Sequence, residues 1–372
     1  MRWWRAIAVL LVNVAVLEGL LWTLCPLPFS LQRAVTKPLS QTLPGLKPHI
    51  VFAEDAFGFR SRSMRTIRKP PRTIRIICLG ASTTQQPTQS TEDLWSAIVE
   101  RKLQERFQHR GVRIEVAALG SGGLTVFDGV RHCELTLPPY EPDIVITLWG
   151  VNDLAWHGGS DYRYPDPSRT ATTAGWKRTL RRYSQLYRRF RQFERVIKVR
   201  RSLQEGSSVE WSSESLPALR ASYVQYPADE APVRDPDPIV EFSDGIKRLI
   251  GCLKRQGSDV IVLAQPVLWK AALSEAERKA LWFFVNTPQG RVRPSPRWLA
   301  REMDRYNEVQ RQHAARLGAS YVPLDRLIPK TLDDFYDDCH VTDQGSAAVA
   351  EAVWPTVQQV VEQVLERRSF SP

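Results

Sequence analysis

Cysteine is scarce in this sequence, and the cysteines that are present do not cluster. Among 372 residues there are five, and none stands in a Cys-x-x-Cys pair or at the Cys/His spacing of a zinc site. An odd number leaves at least one thiol unpaired within the chain, which excludes a disulfide scaffold, while disulfides among some of them stay open. The five are Cys25, Cys78, Cys133, Cys252 and Cys339.

Internal repeats are absent, and so is a basic surface spread along the chain. The formal net charge is +11, but eleven Lys/Arg and a single acidic residue fall between positions 176 and 201, and the remainder is close to neutral. No motif that reads nucleic acid accompanies this charge, so we predict no nucleic-acid partner. With 43% hydrophobic residues, the composition is that of a globular protein, long enough for one catalytic core with insertions.

The basic stretch 176–201 predicts an amphipathic helix with a cationic face, because its apolar residues recur at helical spacing. Two interpretations stay open. The helix is either a solvated element packed on the core, or an element attracted to anionic headgroups at a membrane surface. The apolar positions are Leu180, Tyr183, Tyr187, Phe190 and Ile197.

An apolar run at the N-terminus raises the question of a membrane segment. Two arginines and two tryptophans precede residues 6–24, which just reach the ~20 residues needed to cross a bilayer. Asn13 and Glu18 interrupt the run, so a cleaved signal peptide and a buried helix are alternatives. Because the residues before Cys25 are not the small ones of a cleavage site, we predict an uncleaved transmembrane signal-anchor over residues 1–25 and an extracytoplasmic catalytic domain.

The rest of the chain divides into a proline-rich spacer and lead-in, residues 26–71, and a catalytic domain, residues 72–372. Within that domain, short apolar runs that read as strands alternate with segments of helical spacing. This alternation predicts an α/β fold, with an open parallel sheet and helices on both faces. Strands are expected at 75–80, 112–119, 143–149, 259–264 and 319–322.

Two segments exceed the alternating pattern, near residues 158–238 and 270–296. The first holds the basic helix and then a polar stretch, about 204–238, that predicts a loop. Both segments follow strands at the edge where ligands bind in sheets of this kind. They are therefore candidates for a lid and for substrate contacts.

Four short motifs are predicted to meet at that same edge. Three directly follow strands and the fourth lies beyond the fifth strand. Each is common alone, as a turn, a helix cap or a surface pair, but their joint occurrence in this order predicts acyl transfer from an ester. The motifs are Gly80-Ala81-Ser82-Thr83, Gly120-Ser121-Gly122-Gly123, Gly150-Val151-Asn152-Asp153 and Asp337-Asp338-Cys339-His340.

Ser82 is the candidate nucleophile, and a serine hydroxyl needs a general base near neutral pH. We predict that His340 is this base. Asp337, three residues earlier, would hold the imidazole Nδ1 and leave Nε2 for Ser82. Asp338 is the near alternative as the acid, although its spacing would turn it away.

The tetrahedral intermediate of acyl transfer also needs hydrogen-bond donors for its oxyanion. Three candidates come from the motifs. They are the backbone amide of Ser82, the amide of Gly123, which a substrate can approach closely because no Cβ intervenes, and the side-chain amide of Asn152.

The four motifs resemble those of the SGNH, or GDSL-like, hydrolase superfamily over roughly residues 72–364. The resemblance implies a three-layer α/β/α sandwich around a five-stranded parallel sheet, no metal and no cofactor. It implies the same roles for Ser82, Asp337 and His340, with Ser82, Gly123 and Asn152 as the oxyanion hole. The first motif departs from the family's common Gly-Asp-Ser-Leu, which leaves the triad intact but the subfamily and substrate open.

We therefore predict a serine esterase or acyl hydrolase acting on O-acylated envelope glycans or lipids. Two alternatives remain. An O-acyltransferase would use the same triad with a sugar hydroxyl as acceptor, and a non-catalytic scaffold would keep only the fold. Retention of all five site residues weighs against the scaffold.

Overall fold

The structure of the chain is a computed structural model. It describes residues 2–24, 33–38, 45–47, 49–54, 58–156, 184, 186–187, 189–190, 215–234, 237–287 and 289–368. In chain order, the strands are β1 (Arg33–Pro38), β2 (His49–Glu54), β3 (Phe59–Ser61), β4 (Thr73–Gly80), β5 (Arg113–Gly120), β6 (Ile144–Leu148), β7 (Ala228–Asp229), β8 (Asp259–Leu263), β9 (Val285–Thr287), β10 (Gly290–Pro294) and β11 (Ser320–Val322).

The core of the fold is a six-stranded sheet in the order β11-β8-β6-β4-β5-β3. Its central strand, β4, is buried along its whole length, so both of its faces carry apolar side chains, as expected of a parallel strand covered on two sides. The register aligns the carboxyl ends of neighbouring strands, since Gly80 pairs with both Gly120 and Leu148, and Leu148 pairs with Leu263. The segments that follow these strands therefore emerge side by side at one edge.

The predicted five-stranded sheet is corrected to six strands. The five predicted strands are present and mutually parallel. The sixth, β3, runs antiparallel beside β5 through the Phe59–Leu119 pair. Three residues are too few to show strand periodicity, and β3 lies in the stretch 26–71 that its prolines had marked as a spacer and lead-in.

In chain order, the helices of the described residues are α1 (Arg2–Thr23), α2 (Ser82–Gln85), α3 (Trp95–Phe107), α4 (Val126–Leu135), α5 (Val151–Trp156), α6 (Ser215–Tyr223), α7 (Ile239–Arg255), α8 (Glu275–Ala280), α9 (Pro296–Arg316), α10 (Leu324–Leu327) and α11 (Asp343–Arg368). Short 3-10 helices add Thr91–Asp93, Gln108–Arg110 and Pro138–Tyr140.

The long helices pack in two groups, as expected for a sheet with helices on both faces. Helix α7 packs against α4 and α9, while α11 packs against α3. Helix α7 shows why these segments are helical, because Phe242, Ile246, Leu249 and Leu253 recur every three or four residues and are all buried. Thr342 caps α11, its Oγ1 accepting the Gly345 N–H at 3.0 Å.

The two insertions contain regular structure of their own. The stretch 204–238, predicted as a loop, includes helix α6, so that prediction was wrong for Ser215–Tyr223. Strands β7, β10 and β9 form a separate three-stranded sheet that joins the first insertion to the second. The helical residues of α6 are interleaved with serine and proline, which weakens their periodicity in the sequence.

The N-terminal segment forms helix α1 over 22 residues. Within the described ranges, no helix combines the length and apolar character that a membrane span requires, so the predicted transmembrane signal-anchor over residues 1–25 is not supported. The predicted basic helix 176–201 lies almost entirely outside the described residues. Only 184, 186–187 and 189–190 of that stretch are described.

One disulfide links two helices of the same group. Cys133 in α4 is bonded to Cys252 in α7, closing a loop with a sequence separation of 119 residues. Cys78 and Cys339 are free and buried. The helix pair beside the sheet is thus cross-linked covalently, an outcome that the cysteine spacing left open.

Candidate active site

Ser82 begins the short helix α2, two residues after β4 ends at Gly80. The turn lies directly against the end of β5. A Cβ at Gly120 would be 2.5 Å from the Ala81 carbonyl oxygen and 2.8 Å from the Gln85 nitrogen, so only glycine permits this approach. The sequence therefore places the serine at the sheet edge through a tight turn that a neighbouring glycine accommodates.

A buried arginine supports the far end of this turn. Gln86 adopts a left-handed backbone (φ 47°), which is unusual for a residue with a side chain. The Arg60 guanidinium, from β3, donates hydrogen bonds to the carbonyl oxygens of Gln86 (2.7 Å), Gln89 (2.8 Å) and Gln85. Burial lowers the pKa of Arg60 to about 9, which still leaves it charged at neutral pH. The edge strand that sequence analysis missed thus helps to hold the serine turn.

The structure brings Ser82, His340 and Asp337 together. Ser82 Oγ lies 2.9 Å from His340 Nε2. On the other side of the ring, His340 Nδ1 lies 3.0 Å and 2.9 Å from Asp337 Oδ1 and Oδ2. Since a carboxylate can only accept, it selects the tautomer with the proton on Nδ1 and leaves Nε2 to accept the serine proton.

Asp337 is fully buried and held by several donors. The backbone N–H groups of Cys339 and His340 donate to Oδ1 at 3.0 and 2.8 Å, and the indole N–H of Trp282 donates to Oδ2 at 3.0 Å. Burial raises the pKa of this carboxyl, but the charge and ring hydrogen bond of His340 and the backbone N–H groups of Cys339 and His340 outweigh it and hold the pKa below its ordinary value. Asp337 is therefore an anion when the site is neutral or weakly acidic.

Asp338 turns away from His340, in the direction that its spacing predicted. Its Oδ1 accepts the indole N–H of Trp269 at 2.7 Å, and its Oδ2 accepts the backbone N–H groups of Trp282 and Phe283 at 2.7 and 3.1 Å. Burial, reinforced by the neighbouring Asp337 charge, raises the pKa of Asp338 to about 7. Asp338 therefore connects the second insertion, residues 270–296, to the turn formed by residues 337–340, which carries His340.

Two aromatic rings lie nearly parallel to the imidazole. The Trp282 ring is 6.4 Å from the His340 ring at an interplanar angle of 10°, and the Tyr336 ring is 5.8 Å away at 16°. The Tyr336 hydroxyl in turn accepts a hydrogen bond from Thr88 at 3.1 Å. Neither aromatic residue stands in a motif, so sequence analysis gave no sign of them at the site.

The candidate oxyanion donors sit on the adjacent loops. Gly123, between β5 and α4, is exposed and has a φ of +76°, a conformation that favours glycine. Asn152 lies in the first turn of α5, directly after β6, and its Nδ2 donates to the Leu124 carbonyl oxygen at 2.8 Å. A primary amide has two N–H groups, so this bond orients the side chain and leaves a second donor.

Asp153 connects the two loops that carry Gly123 and Asn152. Its buried Oδ1 accepts the Val126 N–H at 3.0 Å, which ties the start of α4 to α5. Burial raises the pKa of Asp153 to about 7. The motif Gly150-Val151-Asn152-Asp153 therefore combines one amide that reaches the loop and one carboxyl that supports it.

One group of side chains in the described part of the chain has the spacing of metal ligands, namely Asp337, Cys339 and His340, whose donor atoms lie within 4.8 Å of one another. Both Asp337 oxygens and His340 Nδ1 are already joined by hydrogen bonds. The arrangement is accounted for by the acid–histidine pair.

A serine, a histidine and an aspartate joined in this way at the carboxyl edge of an α/β sheet are typical of serine acyl hydrolases. Residues 78–348 match the model of the GDSL-like Lipase/Acylhydrolase family, and the chain belongs to that family. It is an enzyme that acts on ester bonds. No curated protein matches the sequence.

Three solved structures show limited similarity to this chain. The acetyl xylan esterase AlAXEase is 15% identical, with 76% of this chain and 100% of that chain covered and a TM-score of 0.40. TesA is 13% identical (77% and 99% covered, TM-score 0.41), and the acetylxylan esterase Axe2 from Geobacillus stearothermophilus is 14% identical (77% and 94%, TM-score 0.41). Similarity at this level says nothing about the substrate of this chain.

The raised pKa of Asp153 predicts a pH-dependent stability. The pKa of Asp153 is about 7 in the folded protein and near 4 in the unfolded chain. The protonated carboxyl therefore stabilises the folded state fully at low pH, and this stabilisation is lost as pH rises through that interval. The free energy of unfolding of the wild type should fall between pH 5 and pH 8. In Asp153→Asn, which cannot ionise at this position, that fall should be smaller by about 2 kcal/mol. Urea unfolding at both pH values measures this. The exposed Glu105→Gln should behave as the wild type, and equal pH dependence in Asp153→Asn would contradict the assignment.

Proposed function

We propose that the protein is a serine esterase in which Ser82 is the nucleophile, His340 the general base and Asp337 the acid that orients the base. The observation that carries this proposal is the continuous chain of hydrogen bonds from Ser82 Oγ through both His340 ring nitrogens to Asp337. A serine hydroxyl becomes nucleophilic when a neighbouring base accepts its proton as the new bond forms. The 2.9 Å separation from Nε2 meets that requirement.

In the proposed reaction, Ser82 Oγ attacks the ester carbonyl carbon while His340 Nε2 takes the hydroxyl proton. The tetrahedral intermediate collapses as His340 returns that proton to the leaving alkoxide oxygen, which departs as the alcohol. Water then attacks the acyl carbon as His340 Nε2 takes one of its protons. The bond from the acyl carbon to Ser82 Oγ breaks as His340 passes that proton to Oγ, and the carboxylic acid is released. Asp337 stays ionised throughout and stabilises the imidazolium, in keeping with its lowered pKa.

The oxyanion of the intermediate is proposed to bind the Ser82 and Gly123 amides and the Asn152 side chain. Supporting this, all three follow strands β4, β5 and β6, whose ends the register aligns. The Leu124 carbonyl fixes the Asn152 amide before substrate arrives, and donors fixed in advance stabilise developing charge most effectively.

We propose O-acylated envelope glycans or lipids as substrates, met outside the cytoplasm. The Cys133–Cys252 disulfide supports the location, because disulfides persist in oxidising compartments and are rare in the reducing cytosol. The substrate class depends on that location and on the family's acyl-ester chemistry.

The nucleophile assignment predicts that Ser82→Ala and His340→Ala each lower kcat on a short-chain aryl ester by about 10³-fold or more. A matched control is available, because Ser243 and His313 form a second Ser–His hydrogen bond, 2.8 Å long, between α7 and α9. Ser243→Ala and His313→Ala should keep near-wild-type rates. Activity retained in Ser82→Ala would refute the assignment.

The same assay can be run with glycan acceptors present. A serine hydrolase should release free carboxylic acid with or without the glycan. Accumulation of acylated glycan with little free acid would instead identify an O-acyltransferase that uses the same three residues.

The oxyanion assignment predicts that Asn152→Ala lowers kcat by about 10²–10³-fold with little change in KM, since the donor acts on charge that develops only in the transition state. Asn286→Ala is the control. Asn286 also donates to a backbone carbonyl near this edge, that of Ala155 at 3.0 Å. It lies within β9 and not after β4, β5 or β6, where the proposed oxyanion donors lie. Equal losses in both variants would indicate a structural effect of losing either amide.

A further inference from the structure

The second insertion contacts the acid–histidine turn through a short segment around Trp282. Helix α8 ends at Ala280, and the chain then passes Asp337 and Asp338 before entering β9. Trp282 donates to both aspartates, through its backbone N–H to Asp338 Oδ2 and through its indole N–H to Asp337 Oδ2. One residue of the insertion therefore bonds to both carboxylates of the motif.

The backbone contacts place the indole. Asp338 Oδ2 accepts the consecutive N–H groups of Trp282 and Phe283 at 2.7 and 3.1 Å, and Asp338 Oδ1 accepts the indole of Trp269 at 2.7 Å. The two backbone bonds to Asp338 Oδ2 fix the main chain at position 282 relative to residues 337–340. The indole of Trp282 is then directed at Asp337 and lies nearly parallel to the His340 ring.

The two oxygens of Asp337 are held differently. Oδ1 accepts two backbone N–H groups from the turn itself, those of Cys339 and His340. Oδ2 accepts the Trp282 indole as well as His340 Nδ1, at 3.0 and 2.9 Å. The local turn thus fixes one oxygen, and the insertion supplies a donor for the other.

We propose that Trp282 is a positioning residue, which holds the Asp337 carboxylate, and through it His340, in the orientation that serves Ser82. This inference rests on the function proposed above. An insertion beyond the minimal alternating fold would then complete the acid–base pair, rather than only cover the substrate. The two adjacent aspartates have different contacts, since Asp338 binds the backbone of the insertion and Asp337 binds His340.

The test is Trp282→Phe, which removes the indole N–H and keeps an aromatic ring. We expect kcat for an aryl ester to fall about tenfold, since one hydrogen bond to a charged group is lost, with KM within about twofold of wild type. The acid limb of the kcat/KM profile should move to higher pH, because a carboxylate with one donor fewer carries more negative charge beside the imidazole and favours the imidazolium.

Trp269→Phe is the matched control, because it removes the same kind of donor from Asp338 and leaves the donors of Asp337 in place. Its acid limb should stay at the wild-type position. Both variants retain every charged or titratable group around the turn. Those groups include His340, Asp337, Asp338, Tyr336, Cys339, Arg220 and Tyr223.

A second variant tests the proposal if Trp282→Phe does not fold. Site-specific replacement of Trp282 by benzothienylalanine keeps the bicyclic ring and substitutes sulfur for the N–H group. It should show the same fall in kcat and the same shift of the acid limb. Wild-type kinetics in this variant, or equal changes in Trp269→Phe, would overturn the proposal. Full activity in Ser82→Ala would instead mean that the proposed function itself has failed.

Discussion

The site depends on keeping one carboxylate ionised inside the protein. Asp337 is fully buried, an environment that favours the neutral acid, yet the imidazole of His340 and the backbone N–H groups of Cys339 and His340 reverse that preference. Only an anion both selects the Nδ1–H tautomer of His340 and stabilises its imidazolium. The hydrogen bond from Ser82 to His340, which joins positions 258 residues apart, follows from that choice.

The fold supplies this arrangement through register and through turns. Parallel strands β4, β5 and β6 end in line, so the loops that carry Ser82, Gly123 and Asn152 leave the sheet together. Buried polar groups then fix those loops, Arg60 at the serine turn and Asp153 at the start of α4. Each is hydrogen-bonded to backbone groups of the segment that it holds.

The sequence alone was sufficient to predict those elements whose pattern lies within one continuous segment of the chain. Short apolar runs and helical spacing predicted the five parallel strands and the main helices, and motif order predicted that Ser82 and His340 would meet. Strand β3 escaped because three residues show no period, and helix α6 because serine and proline obscure its pattern. Trp282 and Arg60 could not be predicted, since their hydrogen bonds exist only once distant segments pack together. The catalytic roles, the substrate and the location outside the cytoplasm stay predictions.

The most direct measurement of the central claim is labelling with a serine-directed fluorophosphonate, followed by intact mass and peptide mapping. An activated Ser82 predicts one adduct per chain, on the peptide that contains Ser82, formed far more slowly in His340→Ala and Asp337→Asn. Ser243, hydrogen-bonded to a different histidine, should remain unlabelled. Labelling of another serine, or equal labelling rates at Ser82 with and without His340, would contradict the account.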